Sequence, residues 1–160
     1  MCLLCEELAA SGDLENTLNI LVRNITNIMG VKGSTIRLLD EKNSTLEIVA
    51  AYGLSKKYIE KGPVLLSDHP VDTRVLKGET VATRDITAEP HLLYLEEAKK
   101  EGIKSVLSVP LTVKDRSIGV VRVYTDSPHD FTGEEIEKLK TLVSLGGILA
   151  DRAKISQQMR

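Results

Sequence analysis

The sequence predicts an α+β domain in which an antiparallel sheet carries helices gathered on one face. Three observations predict it. An amphipathic helical repeat opens the chain, a second long one closes it, and between them two pairs of adjacent β-rich runs flank a segment broken by prolines. A doubly wound parallel sheet, which needs strand and helix to alternate throughout, does not fit this order. The chain has 160 residues, 42% of them hydrophobic and 28% charged, enough for one well-buried core and therefore one domain.

Leu14, Leu18, Leu21, Val22, Ile25, Ile28 and Met29 repeat at three and four residues, the spacing of one helical face, with Asp13 placed to cap the helix and Gly30 to stop it. Residues 34–39 and 45–51 then read as a hairpin, because the Asp, Asn and Ser between them favour a turn. From Leu54 to Arg84 the pattern is mixed. A short helix near 55–61, breakers at Pro63 and Pro70, a helical turn near 71–77 and a strand at 80–83 are expected there. Pro90 suits the first turn of a helix over 91–100, which Gly102 ends. Residues 105–113 and 117–125 form a second hairpin across Lys114, Asp115 and Arg116, with Pro110 confined to an edge or a bulge. Thr132 caps a last helix whose first turn is acidic and which runs to about Ala153 or beyond.

Composition excludes several classes of function. There are 21 basic and 23 acidic side chains and a net charge of -2, so no bulk positive field holds nucleic acid or an anionic membrane. The apolar run from Leu142 to Ala150 falls short of the roughly 20 residues of a bilayer crossing. The N-terminus lacks the basic start of a signal peptide and two Cys make no secreted framework, so a cytoplasmic location is expected. Four Tyr and one Phe leave little for an aromatic stacking platform.

The order of elements leaves the middle segment to cover the sheet face opposite the terminal helices, where a ligand cavity can form. At this point the residues resemble those of a GAF domain, a small-molecule sensing and dimerising module of signalling proteins. The resemblance spans nearly the whole chain. It rests on Gly12-Asp-Leu-Glu before the first helix, Gly33-Ser-Thr-Ile-Arg-Leu-Leu-Asp40, Ala50-Ala-Tyr-Gly-Leu54, Lys77-Gly-Glu-Thr-Val-Ala-Thr-Arg-Asp85, Ile103-Lys-Ser-Val-Leu-Ser-Val-Pro-Leu111, Gly119-Val-Val and Phe131-Thr-Gly-Glu-Glu. The resemblance implies an antiparallel sheet of about six strands, terminal helices on one face, and a pocket under the irregular segment on the other. Residues 13–153 are then the domain, 1–12 a helical extension or linker and 154–160 a helical linker. Carried over by position, the implied ligand-binding residues are Thr83, Arg84, Asp85, Leu93, Tyr94, Glu97 and Ser105.

Arg84 beside Asp85 could orient a polar ligand by charge-assisted hydrogen bonds, or the two could pair at the surface and contribute little. Relatives that bind cyclic nucleotides carry an Asn-Lys pair after the last strand, whereas this strand ends Tyr124-Thr125-Asp126. Relatives that attach a tetrapyrrole through a Cys within the domain need one in the middle segment, and residues 6–160 contain none. The resemblance therefore names no cofactor and no ligand.

Cys2 and Cys5 form a Cys-x-x-Cys pair, either a redox couple, half of a metal site, or two residues at the frayed end of the chain. His69, His91 and His129 lack zinc-ligand spacing, so no metal site is expected. His69 falls in the pocket-covering segment and is either a ligand contact or pH sensor or a solvated loop residue. No nucleophile, base and orienting group come together, and free methionine-sulfoxide reductases of this fold need Cys at the pocket, so the chain is expected not to be an enzyme.

In the last helix Ile136, Leu139, Val143, Gly146 and Ala150 make one stripe, and Leu142, Leu145, Ile148, Leu149 and Ile155 a neighbouring one. The width exceeds what covering a sheet requires. Gly146, Gly147 and Ala150 suit close approach of a second helix, so a homodimer through the terminal helices is expected; packing of the two helices of one chain is the alternative. The expected function is a sensory domain that binds an unidentified small molecule and passes its occupancy through the terminal helices to an output domain. The alternative is a dimerisation module.

Overall fold

In the computed structural model, which describes residues 14–88 and 94–158, the first repeat forms helix α1 (Leu14–Met29), ended by Gly30 at φ +66°. Asp13, expected as its cap, lies outside the described residues. Strands β1 (Gly33–Asp40) and β2 (Thr45–Tyr52) follow as the expected hairpin. The middle segment then builds helix α2 (Lys56–Ile59), strand β3 (Val64–Leu65), helix α3 (Pro70–Leu76), strand β4 (Val81–Thr83) and helix α4 (Leu95–Glu101), with 3₁₀ turns at Leu66–Asp68 and Ile86–Ala88. The chain closes with β5 (Ser105–Val113), β6 (Arg116–Thr125) and helix α5 (Gly133–Gln158).

The six strands make one antiparallel sheet in the order β3-β2-β1-β6-β5-β4, the α+β architecture the sequence predicts. Lys114 and Asp115, at φ +52° and +64°, form a two-residue hairpin loop whose paired positive φ values match the twist of the flanking strands. Pro110 lies where β5 has run past the β4 ladder, which ends at the Val81–Ser108 pair, so its missing N–H falls at an edge as expected. Strand β3 was not anticipated: two residues are too short to show a period.

Both faces of the central strands are buried, and their residues alternate between two interiors. Ile36, Leu107, Val109, Leu111, Val121 and Val123 pack against α1 and α5 through Leu18, Leu21, Val22, Ile25, Leu139 and Val143. The intervening residues of β6, Val120, Arg122 and Tyr124, face the middle segment. Val120 joins a cluster with Leu46, Val64 and Val75, and Tyr124 one with Tyr58, Ile86, Ala98 and Ile103. Arg122 lies between these two apolar clusters along the strand. A serine fastens α1 to the sheet, since Ser34 Oγ donates to the Val22 carbonyl and shares a 2.8 Å hydrogen bond with Thr26 Oγ1.

Helix α5 begins with a reciprocal cap: the Glu135 N–H donates to Thr132 Oγ1 at 3.1 Å and the Thr132 N–H to Glu135 Oε1 at 2.9 Å. The structure corrects the reading of its glycines. Gly146 faces Leu21 of α1 and Gly147 faces the Thr112 carbonyl of β5, so both serve contacts within the chain. A Cβ at Gly146 would stand 2.3 Å from Leu21 Cδ2, and Leu21 is fully enclosed and cannot withdraw.

Gly146→Ala should therefore destabilise the domain by about 1–2 kcal/mol, the strain of overpacking exceeding the roughly 1 kcal/mol gained in helix propensity. Gly133→Ala, at a position with open space around it, should leave stability unchanged or slightly raised. Urea denaturation of both variants measures the difference.

Candidate functional site

The alternation that sends Val121 and Val123 to the helices sends two arginines to the opposite face. Arg37 of β1 is 2% exposed and Arg122 of β6 is 7% exposed, both beneath the middle segment. Burying a guanidinium costs several kcal/mol unless it is paired and hydrogen-bonded. Arg122 is: its Nε donates to Ser108 Oγ at 2.9 Å and its Nη2 to Asp72 Oδ1. Asp72 is completely enclosed on α3, so this pair joins the covering segment to the centre of the sheet. Arg37 has only the Tyr124 hydroxyl, 3.5 Å from its Nη1, and no carboxylate among the described residues.

His69 precedes α3 and is 7% exposed. Its Nδ1 stands 2.7 Å from Asp72 Oδ2, and these two enclosed atoms face each other with no other partner among the described residues. Burial pulls the Asp72 carboxyl upward, but Arg122, His69 and Arg37 outweigh it and hold the carboxyl at about 2. Burial, followed by Tyr124, pushes the Tyr58 phenol up. For Tyr124 burial opposes and the two guanidiniums prevail, so its phenol is made more acidic. Tyr58 and Tyr124 meet edge to face at 6.0 Å. Lys61 Nζ lies 3.7 Å above the Tyr58 ring; desolvation and then Arg37 and Arg122 bring its pKa down to about 7.

Of these groups Arg122, His69, Tyr58 and Tyr124 border a cavity of about 60 Å³ between the sheet and the middle segment, while Arg37, Asp72 and Lys61 lie behind its wall. Its polar lining is Tyr58, His69, Thr83, Ser108, Arg122 and Tyr124; Val71, Val81, Ile86, Leu95, Ala98 and Val106 complete the wall.

Of the residues implied by the resemblance, Thr83 lines this cavity. Arg84 and Asp85 do not. Arg84 is exposed and reaches Asp130 at 3.1 Å, while Asp85 turns back onto Thr87, accepting from its N–H at 3.0 Å and its hydroxyl at 2.6 Å. The reason is that the strand ends at Thr83, and the turn leading into the 3₁₀ segment carries the next two side chains outward. Tyr94 donates to the Pro63 carbonyl at 2.9 Å, and Glu97 faces an outer groove with Ser55, Lys57 and Glu101. Ser105 is enclosed, but its hydroxyl is spent on the Arg84 carbonyl and on the N–H of His129. Leu93, Cys2 and Cys5 lie outside the described residues. His69 is where its pocket-facing reading put it.

The sequence reading missed Arg37, Arg122, Asp72, Tyr58 and Tyr124. A signal existed for the arginines: each interrupts an uncharged run inside a central strand, in Ser34-Thr-Ile-Arg-Leu-Leu39 and Gly119-Val-Val-Arg-Val-Tyr124, in phase with the face opposite Ile36 and Val121. Asp72 and Tyr58 belong to short helices and carry no comparable pattern. Among the described residues no group of three His, Cys, Asp or Glu is placed to hold a metal ion, and no helix is long and apolar enough to cross a membrane.

A six-stranded antiparallel sheet with paired terminal helices on one face and a cavity under an irregular segment on the other defines the class of α+β domain to which the chain belongs. The GAF domain family model matches residues 11–150, and the chain belongs to that family. Among solved structures, it is similar to the GAF domain of a phosphoenolpyruvate-protein phosphotransferase from Acinetobacter, with 25% identity over 95% of this chain and 90% of that one and a TM-score of 0.76. The corresponding domain from Coxiella burnetii is 19% identical over 98% and 91%, with a TM-score of 0.79. Residues 122 to 287 of a methyl-accepting chemotaxis protein superpose with a TM-score of 0.79 at 19% identity, over 95% and 97%. No curated protein matches the sequence.

Asp72→Asn, which leaves Arg122 without its counter-charge, should cost about 3–5 kcal/mol in urea denaturation. The folded-state pKa of Asp72 lies below its unfolded value of 3.8, so its contribution is present above pH 4 and is lost as pH falls toward about 2. Lys61 acts at the other end. Between pH 7 and 10.5 the unfolded chain holds a proton that the folded one has released, so stability should rise with pH across that window, and Lys61→Met should flatten the rise.

Proposed function

We propose that this chain is a cytoplasmic, non-catalytic sensory domain that binds a small molecule in the cavity above Arg122 and reports its occupancy through α1 and α5. The observation that carries the reading is the cavity itself. It is bordered by Arg122, His69, Ser108 and the two tyrosines within an otherwise largely apolar wall, the mixture of a few placed polar groups and apolar surface that small-molecule sites have. Strand β6 supports the second half of the proposal, because Arg122 and Tyr124 border the cavity while Val121 and Val123 pack on the helices. A ligand that favours one setting of this strand shifts the helices only by its difference in affinity for the two settings.

The reading includes a homodimer through the terminal helices. With both glycines turned inward, support comes from Ile148, 61% exposed on α5, and from Leu145, half-buried one turn earlier. An output domain joined to the end of α5 would receive the signal.

Native mass spectrometry of the chain purified without denaturation tests both parts. The expected result is a dimer carrying extra mass. Val106→Phe, which fills the cavity, should lose the extra mass and keep the dimer, whereas Ile148→Glu should give a monomer that still retains it. A bare wild-type monomer would overturn the dimer. A dimer whose stability no compound changes would favour a module for dimerisation alone.

A further inference from the structure

We infer that the cavity ligand is a short-chain monocarboxylate. The inference rests on the reading of the cavity as the ligand site and adds the chemical class. It begins with the charges enclosed in the domain. Among the described residues, the buried arginine, lysine and carboxylate side chains are the guanidiniums of Arg37 and Arg122 and the carboxylate of Asp72. Asp72 is engaged by Arg122. Arg37 reaches no carboxylate, and the Tyr124 hydroxyl that it touches is neutral until it gives up its proton. One positive charge is therefore unmatched in an interior where its field is poorly screened.

The neighbouring groups respond to that surplus. The two guanidiniums make the buried Tyr124 phenol more acidic, and together with desolvation they make the Lys61 ammonium easier to deprotonate, although Glu97 and Glu101 act on Lys61 in the opposite sense. Both shifts have the sign that a local positive surplus produces, and the same field favours an anion in the cavity.

Shape and lining narrow the anion. At roughly 10–15 Å³ for a water, a cavity of about 60 Å³ takes about four to six non-hydrogen atoms. A single surplus charge balances a monoanion and would be overbalanced by a phosphate dianion. Arg122 and the hydroxyls of Tyr58 and Tyr124 offer donors on one side, and Val71, Val81 and Leu95 offer an apolar wall to a short carbon chain.

Propionate, with five non-hydrogen atoms, is the probe, measured by thermal unfolding and isothermal titration of the full chain against propionamide, propylamine and inorganic phosphate at constant ionic strength. Propionate should raise the melting temperature in a saturable way and the other three should not. Arg37→Met should weaken propionate binding by about tenfold, because it removes the surplus positive charge that stands behind Tyr124 at the cavity wall, with Arg37→Lys retaining most of it. If propionamide binds as well as propionate, the monocarboxylate inference falls while small-molecule binding in the cavity stands. Phosphate binding more tightly than propionate would overturn it in favour of a polyvalent anion. If no carboxylate from formate to butyrate shifts the melting temperature, the inference is overturned even where Arg37→Met fails to fold, because that measurement uses the unaltered chain.

Discussion

The ion pair between Arg122 and Asp72 sets the terms for the rest of the molecule. Neither group can be taken from water alone, so the centre of β6 and the first turn of α3 must meet wherever the chain folds. That requirement places a seven-residue helix, too short to persist by itself, across the sheet. A buried pair of this kind adds little net stability compared with apolar residues of the same volume. What it does here is fix position. Two apolar clusters, around Leu46 and Val120 and around Tyr58 and Tyr124, would cover the same face of the sheet in many registers, and the charge between them selects one.

The sheet is buried on both sides, and this double burial accounts for both what the sequence disclosed and what it concealed. Helix α1 was legible because one of its faces meets water, so the repeat of Leu14, Leu18, Leu21 and Ile25 stands out against polar neighbours. The two hairpins were legible from β-branched runs separated by turn residues. Strands β1 and β6 themselves show little alternation, because Val120 and Val121 are both enclosed, one toward α3 and one toward the helices. The face on which Arg37 or Arg122 lies follows only after a register has been assigned. The middle segment was the least legible part, since α2, β3, α3 and β4 are each shorter than the window over which a period can be recognised.

The candidate residues divide along the same line. Thr83 and His69 reach the cavity because the backbone there lies directly against the sheet, at the end of β4 and at the start of α3. Arg84 and Asp85 are adjacent in sequence to Thr83 but lie past the end of the strand, where the chain turns and the side chains find partners at the surface in Asp130 and Thr87. Proximity along the chain was a poor guide to proximity in space at a strand end. The reverse error applies to the glycines of α5, whose pattern is that of a helix crossing, and which are consumed by Leu21 of α1 and the Thr112 carbonyl of β5. The pattern identified a close approach correctly and could not say to what.

Ser105 joins the sheet to the last helix without lining the cavity. It is the first residue of β5, paired with Thr125 at the end of β6, and its hydroxyl receives the His129 N–H at 2.7 Å. His129 Nε2 lies 2.9 Å from Glu135 Oε1, and Glu135 closes the cap of α5 with Thr132. The backbone N–H of Thr132 is the main influence holding the Glu135 carboxyl below its ordinary range, so this acid remains charged and keeps the cap closed at neutral pH. A continuous set of hydrogen bonds thus runs from the ends of β5 and β6 to the first turn of α5. On the proposed reading, β6 is contacted by the ligand at Arg122 and Tyr124, and a displacement of that strand reaches α5 twice, once through the core that Val121 and Val123 share with Leu139 and Val143 and once through Ser105 and His129 at its cap. The two routes enter α5 at its cap, at Thr132 and Glu135, and at its buried stripe, at Leu139 and Val143, so the strand is coupled both to where the helix begins and to the face it presents to the sheet.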